Sequence, residues 1–557
     1  MQKSCRQCAI KFEITDDDLK FYDKISPMFA GKKYLVPPPT LCPECRQQRR
    51  LVFRNERTLY HRKCDLSGKQ IISMHSPDKP YKVYDQAEWW SDKWDPLQYG
   101  RDFDFTKTLA EQLKSLYQDT PHVSLQNTNA ENSYYTNFAL NQKNCYLIFG
   151  AGNNEDCLYG KFIVNSKDVV DGLNLYSCEK CYEGVASDKC YNCKFFFGSR
   201  NCSDSIMIEN CQSCRDCIGC FGLQSKQYYV FNKYIGKEKY QEFAKEYEYL
   251  TPEKIDFLQK KLDELKIHLP HRYGYIYGSE NCSGDAIFNS KNCHYSFNIK
   301  DSEDSKYIYF APKTNNTYDV TFCAPDGVSF CYNICSTVSL KSSMVNFYVW
   351  YASDIYYSIE CHHSQNLFAC ISLKNKKYCI LNKQYSKEEY EKLVSRIIEH
   401  MQKTGEWGEY FPYSLSPFGY NETIAQEYCP INKEEALKLG ATWYDKKPEA
   451  VYQGENVVPP EDIRNVKDDI CSKILTCEIT GHHYKIIPQE LKFYRDMNLP
   501  IPRKCPDQRH LERMKAVNPH RLWSRTCAKC TAPIQTTYAP ERQEIVYCES
   551  CYLKEIY

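Results

Sequence analysis

The chain has 557 residues, with 72 lysines and arginines against 71 acidic residues and 32 cysteines. That length is too great for one core and points to several domains, while the balanced charge excludes a field that draws the whole molecule to nucleic acid or an anionic membrane. No run approaches a membrane span and the opening "MQKSCRQC" lacks the apolar stretch of a secretory signal, so the expected location is a reducing cytoplasm, where cysteines serve as metal ligands or small buried residues.

Residues 1–95 read as tandem zinc modules, the first intact and the second degenerate. In the first, Cys5-x2-Cys8 and Cys42-x2-Cys45 flank a short helix, with Thr15 as N-cap and three aspartates in its first turn. Each C-x2-C turn brings two thiolates to one point, and two turns complete the tetrahedral shell that Zn²⁺ prefers. The run C-x2-C-x3-F-x-I-T…F-Y…P-x-x-C-P-x-C-R-x-x-R across residues 5–50 resembles the treble-clef family of probable zinc-ribbon domains. The resemblance implies Zn²⁺ on Cys5, Cys8, Cys42 and Cys45 and no reaction, and it covers under a tenth of the chain. The overall arrangement also resembles large Cys- and Tyr-rich proteins of small-genome bacteria. The second module, "LYHRKCDLSGKQIISMHSPDKPYKVYDQAEWW", parallels the last module of the chain but keeps only Cys64.

A helical linker (96–130) leads into a first repeat block (131–226). A small or apolar residue recurs there at Ser133, Cys145, Cys157, Val169, Cys181, Cys190, Cys202 and Cys214, in steps of twelve with one short step of nine. After a helical insert (227–277), in which Thr251 and Pro252 open a helix, a second block (278–380) has the same pulse at Cys282, Cys293, Ser305, Thr317, Ser329, Ser342, Asp354 and Asn366. Large apolar residues such as Ile287, Phe310, Phe322 and Ile334 follow five positions later. Both blocks end in one signature, "CFGLQSKQYYVFNKYIGKEKY" and "CISLKNKKYCILNKQYSKEEY", aligned at an offset of 150.

A twelve-residue unit without helical periodicity is one strand and a turn, and stacked units form ladders of like residues. The fold class expected is therefore multidomain and mainly β: a duplicated, parallel β-helix-like β-solenoid with helical inserts and terminal treble-clef or zinc-ribbon modules. A coil of one repeat and a coil of two are both permitted. The block cysteines fit an inward column of reduced thiols, against which "CQSCRDCIGC" (Cys211, Cys214, Cys217, Cys220) superficially suggests an iron–sulfur run.

A helical connector (381–470) has Ser386 and Glu389 in capping-box spacing, Gly405 as a stop, and further helix expected over 432–440 and 459–475. The tandem C-terminal modules (471–557) are first degenerate and then intact. Cys527-x2-Cys530 and Cys548-x2-Cys551 have ribbon spacing. In the degenerate copy Cys477 and Cys505 match Cys5 and Cys42, while Thr480 and Gln508 stand in place of the partner cysteines. Either that copy is metal-free, or Cys477, His482, Cys505 and His510 rebuild a site. Four protein ligands leave no position for water, so about two structural zinc ions per chain are expected.

Arginines follow the first quartet, Arg46, Arg49, Arg50, Arg54 and Arg57, and occupy the corresponding C-terminal segment, Arg509, Arg513, Arg521 and Arg525. They suit phosphate contact with RNA or DNA, or equally a solvated helix face bridged to acids. No P-loop, dinucleotide fingerprint, nucleophile elbow or zincin motif is present. Cys361, His362 and His363 read as a turn, and Asp285, Asp301, Asp304, Asp319 and Asp326 form no column at one repeat position. The expectation is a zinc-binding scaffold for macromolecular interaction, contacting RNA or a protein complex and neither a membrane nor a small-molecule substrate. Its rival is a carbohydrate-active parallel β-helix lyase or hydrolase.

Overall fold

In the computed structural model, which describes residues 1–323, 326–446 and 457–556, the first block is governed by one backbone habit. From Asn129 to Phe231 every third residue is left-handed, with φ between 45 and 68°. Such a residue turns the chain sharply, and asparagine, aspartate and glycine adopt it most cheaply. Each three-residue side thus holds a left-handed corner, then an inward residue, then an outward residue that pairs with the next coil. Four sides close one coil, because the parallel register steps by twelve: Tyr146, Leu158, Val170, Tyr182, Lys194, Ile206, Ile218 and Val230 lie over one another. One coil therefore holds one repeat.

Four inward residues per coil leave a narrow interior, which explains the composition. Cysteine and serine fit, and they also satisfy the backbone. Serines in the inward columns take up inward N–H groups of the next coil: Ser187 Oγ accepts from Ser199 N–H (3.0 Å) and Ser199 Oγ from Cys211 N–H (3.3 Å). Cysteine thiols donate to the carbonyls two residues earlier and nine residues later, as Cys181 does to Glu179 (3.3 Å) and Cys190 (3.5 Å). Where a large side chain enters, a glycine faces it: a Cβ on Gly184 would lie 2.3 Å from the Phe196 ring, and one on Gly160 2.1 Å from Ile163. Outside, asparagines at one corner form a ladder, Asn129 donating to Asn141, Asn141 to Asn153 and Asn153 to Asn165 at 2.8–2.9 Å.

The expected step of nine between Cys181 and Cys190 is a change of column, not a shortened coil. The column of Cys145, Cys157, Val169 and Cys181 continues through Cys193, whereas Cys178, Cys190, Cys202 and Cys214 line the adjacent side. In the second block the expected register holds only to Thr317. The first coil there has eleven residues (Ile276 over Ile287), and a later one has fourteen (Tyr318 over Tyr332). The residue above Thr317 is therefore Cys331, whose N–H donates to the Thr317 hydroxyl (3.3 Å), and not Ser329. Ser342, Asp354 and Asn366 are left-handed corners just before the inward positions. Phe310 and Phe322 are likewise corners, with φ of 52 and 61°, while Ile287 and Ile334 point inward. The two blocks meet where the Phe162 ring stacks on Phe310 (4.6 Å) and Phe322 (5.2 Å).

Each block ends in a short antiparallel hairpin and a helix, Lys237–Glu246 or Lys387–Thr404, which occupy the last exposed edge. The second helix has the Ser386 and Glu389 capping box and stops at left-handed Gly405. Over 459–475 the expected helix is absent. Short 3₁₀ turns, Ile463–Asn465 and Asp468–Ser472, let Ile463, Val466 and Ile470 each reach the core beside the third module.

Replacing Gly184 by alanine forces Phe196 off its position in an interior without spare volume. Urea unfolding of this variant is expected to show a loss of about 1–3 kcal/mol, the usual cost of overpacking.

Candidate metal centres and the modules that carry them

All four terminal modules begin with the same turn. The N–H of the first cysteine donates to the carbonyl five residues on, for Cys5 (to Ile10, 2.9 Å), Cys64 (to Lys69, 2.8 Å), Cys477 (to His482, 2.8 Å) and Cys527 (to Ala532, 2.8 Å). The fifth residue of each turn, Ala9, Gly68, Gly481 or Thr531, is left-handed and donates its N–H back to the cysteine carbonyl. In the first and third modules a later cysteine, Cys42 or Cys505, is the N-cap of a helix that starts with proline, Pro43–Leu51 or Pro506–Ala516.

Two modules assemble four sulfurs. Cys5, Cys8, Cys42 and Cys45 form one group and Cys527, Cys530, Cys548 and Cys551 another, each with all four sulfurs within 4.8 Å of one another. Cys8 lies 3.7 Å from Cys42, and Cys530 3.6 Å from Cys548. Those separations fit the edge of a tetrahedron of about 3.8 Å, as Zn–S bonds near 2.3 Å require. Cys42 is drawn below the ordinary thiol value by hydrogen bonds from the Cys45 thiol and the Cys45 backbone N–H, which favours the ligating thiolate. Both groups can therefore hold a structural metal ion, and among the described residues no other group of cysteines, histidines and carboxylates gathers so tightly.

In the other two modules protein hydrogen bonds replace the ion. The Cys64 thiol donates to Glu88 (2.7 Å) and accepts from Asp85 N–H (3.2 Å). In the third module the Thr480 hydroxyl lies 3.8 Å from Cys505 sulfur, in the place Cys8 takes beside Cys42. His482 is exposed on the turn, and His510 points the other way, to Glu427 (3.3 Å). Burial and the neighbouring Arg57 lower the His510 pKa to about 4, so it sits there neutral. Cys477, His482, Cys505 and His510 are not brought together as a ligand set.

The run Cys211, Cys214, Cys217 and Cys220 supplies the inward residues of four successive sides. Each thiol donates to the carbonyl two residues earlier, at 3.3–3.5 Å, in the manner of a reduced, hydrogen-bonded thiol. Cys361 is inward too and donates to Ile359 (3.4 Å), while His362 faces outward among Trp89, Trp90, Trp350 and Tyr348. The two are therefore on opposite sides of the coil wall. Of the block carboxylates, Asp285 accepts from Tyr275 N–H (2.7 Å), and Asp301 and Asp304 accept from Asn289 and Asn292 of the preceding coil.

The arginines expected on the surface are mostly inside. Arg46, Arg50, Arg54, Arg509 and Arg513 are each under 5 % exposed. Arg46 donates to both oxygens of Asp319 (3.0 Å), and Arg50 reaches Asp319 (3.1 Å) and Asn333 (3.0 Å). At the other end Arg509 and Arg513 reach Asp171 (3.1 and 3.0 Å), and Arg513 also meets Glu183 (3.0 Å). The first module thus docks on the second block and the third module on the first block, through the same device. Asp171 and Asp319 are both left-handed corners, with φ of 60 and 58°. Arg54 pairs with buried Glu56, which with Glu427 holds fully buried Lys161 charged against the pull of burial. Arg49 pairs with Glu409 and Arg57 with Asp507, and Arg525 bonds the Ala539 and Glu544 carbonyls. Arg521 remains exposed, its guanidinium 5.3 Å from the Trp523 ring.

The remaining modules seal the lead-in strands. Val83–Tyr84 of the second module pairs with His122–Val123 ahead of the first block, and Val546–Tyr547 of the last pairs with His271–Arg272 ahead of the second. Sequence reasoning missed Asp171 altogether and weighed Asp319 only as a possible catalytic carboxylate, not as a docking counter-ion. Their signal was C-P-x-x-R-x-x-x-R, present in both "CPECRQQRR" and "CPDQRHLER", which puts two arginines on one helix face four residues apart.

Comparison with family profiles, curated proteins and solved structures finds no match to this chain. What the structure establishes is a β-solenoid scaffold carrying two four-cysteine centres able to bind metal.

Replacing Asp319 by asparagine leaves two buried guanidinium groups without their counter-ion. The loss on urea unfolding should be roughly 3–5 kcal/mol, as for a broken buried pair, and Asp171→Asn should cost less, because Arg513 keeps Glu183 and Arg509 keeps Glu490. Asp462→Asn, which breaks the exposed pair with Arg464, should cost under about 1 kcal/mol.

Proposed function

We propose that the protein is a zinc-stapled β-solenoid scaffold for macromolecular interaction, working in a reducing compartment such as the cytoplasm, with RNA as its partner class. The observation that carries this reading is the pair of four-cysteine centres at tetrahedral spacing, each on a module clamped to or continuous with a solenoid block. No disulfide joins any of the 32 cysteines, all of which lie among the described residues, and no described helix is long and apolar enough to cross a membrane. Zinc is the ion that closed four-thiolate sites of this kind favour. The buried arginines serve docking and do not contact a partner. RNA contact then centres on the last module, where Arg521 overlies Trp523 and offers one charge and one stacking face.

Metal analysis and RNA filter binding test the two parts separately. The purified chain is expected to carry about two zinc ions, with one lost in Cys42→Ser and the other in Cys548→Ser. A chain without zinc, or with iron and visible absorption, contradicts the staple. RNA retention is expected to weaken with rising salt and to fall in Arg521→Ala/Trp523→Ala. Retention indifferent to both contradicts the RNA assignment.

A further inference from the structure

The third module keeps the frame of a metal site but only half its sulfur. Glu478 N–H donates to Arg503 carbonyl at 3.1 Å, as Arg6 N–H does to Thr40 in the first module at 3.1 Å. Cys477 opens the same turn as Cys5, and Cys505 caps its helix as Cys42 does. In the intact module the Cys5 and Cys42 sulfurs lie within 4.8 Å. The shared frame therefore sets the Cys477 and Cys505 thiols side by side, with the exposed Thr480 next to them in place of a third ligand. Two thiolates alone do not complete a tetrahedral shell, and no histidine turns in to help. Although burial opposes ionisation of Cys477, the Thr480 hydroxyl and the backbone N–H groups of Cys505, Thr480 and Ile479 bring its pKa down to about 7. A thiol so placed is the nucleophilic member of a pair.

We propose that Cys477 and Cys505 form a reversible disulfide, a redox site standing where a metal ion has been lost, with a hydroperoxide as oxidant. The Cys477 thiolate attacks one peroxide oxygen; the O–O bond breaks, leaving a sulfenic acid on Cys477 and a hydroxide that takes a proton to become water. The Cys505 thiolate then attacks the Cys477 sulfur, the S–S bond forms, the S–O bond breaks and a second water leaves. Two thiols lose two electrons and hydrogen peroxide gains them. A dithiol reverses the link by exchange. The bond ties the module's opening turn to helix Pro506–Ala516, which carries Arg509 and Arg513 onto Asp171.

Peptide mapping of the full, zinc-loaded chain tests this. After exposure to hydrogen peroxide, acid quench and blocking with N-ethylmaleimide, trypsin should release residues 474–485 and 505–509 as one species, lighter than their sum by two hydrogens. Dithiothreitol should part them. In Cys505→Ser the species should vanish and Cys477 should instead take up the sulfenic-acid probe dimedone. The inference is overturned if both peptides carry N-ethylmaleimide at a dose that oxidises the half-exposed Cys471. It is equally overturned if Cys477 is joined to Cys471, or if added zinc protects the pair, since a metal site would then remain.

Discussion

The left-handed residue at every third position is the constraint from which the rest of this molecule follows. It makes each side of the coil three residues long, so twelve residues close a coil and one side chain in three faces an interior only four side chains wide. An interior that narrow rejects most pairs of large residues, which is why glycine sits against Ile163 and Phe196, and why cysteine and serine dominate. The thiols need no metal or disulfide to explain them. They are small, mostly apolar, and able to donate to the carbonyls that the tight corners leave over.

Such a stack has little side-chain core of its own, and its stability depends on what covers its outer faces. Here the covering is crossed, because the first module lies on the second block and the third module on the first. Buried arginines on a buried aspartate are a poor source of stability in themselves, since desolvation offsets most of the attraction. Their value lies in position: only one placement of each helix satisfies both guanidinium groups. The N-terminal four-cysteine centre fixes the start of helix Pro43–Leu51, and so helps to set where Arg46 and Arg50 arrive.

Much of this was legible in the residues. The twelve-residue pulse through Cys181 in the first block and up to Thr317 in the second, the offset of 150 between the blocks, the two complete quartets and the Thr15, Thr251 and Ser386 caps are where the spacing puts them. The finer period of three was not read, although Asn144-Cys145, Asp156-Cys157, Asn192-Cys193, Asn201-Cys202 and Asn210-Cys211 display it: a residue tolerant of the left-handed corner, then a small inward one. Reading triplets would have kept Cys181 and Cys190 in separate columns. The slip after Thr317 could not be seen by counting, because two extra residues enter one coil and the steps of twelve resume beyond it with every partner shifted by two. Burial was the other blind spot. An arginine on a helix looks alike whether it meets a phosphate or Asp319, and the carboxylate it meets lies some 270 residues away.

The most direct test of the triplet account is the unfolding free energy of paired substitutions at two exposed positions of the same wall, Lys189, a left-handed corner with φ of 52°, and Glu179, an extended strand position. The preferences should oppose each other. Glycine should be the better tolerated residue at Lys189 and valine the worse, by about 1–2 kcal/mol, whereas at Glu179 valine should be better than glycine by roughly 0.5–1 kcal/mol. If valine is preferred at both positions, the corner is not where the account puts it and the twelve-residue coil is wrong.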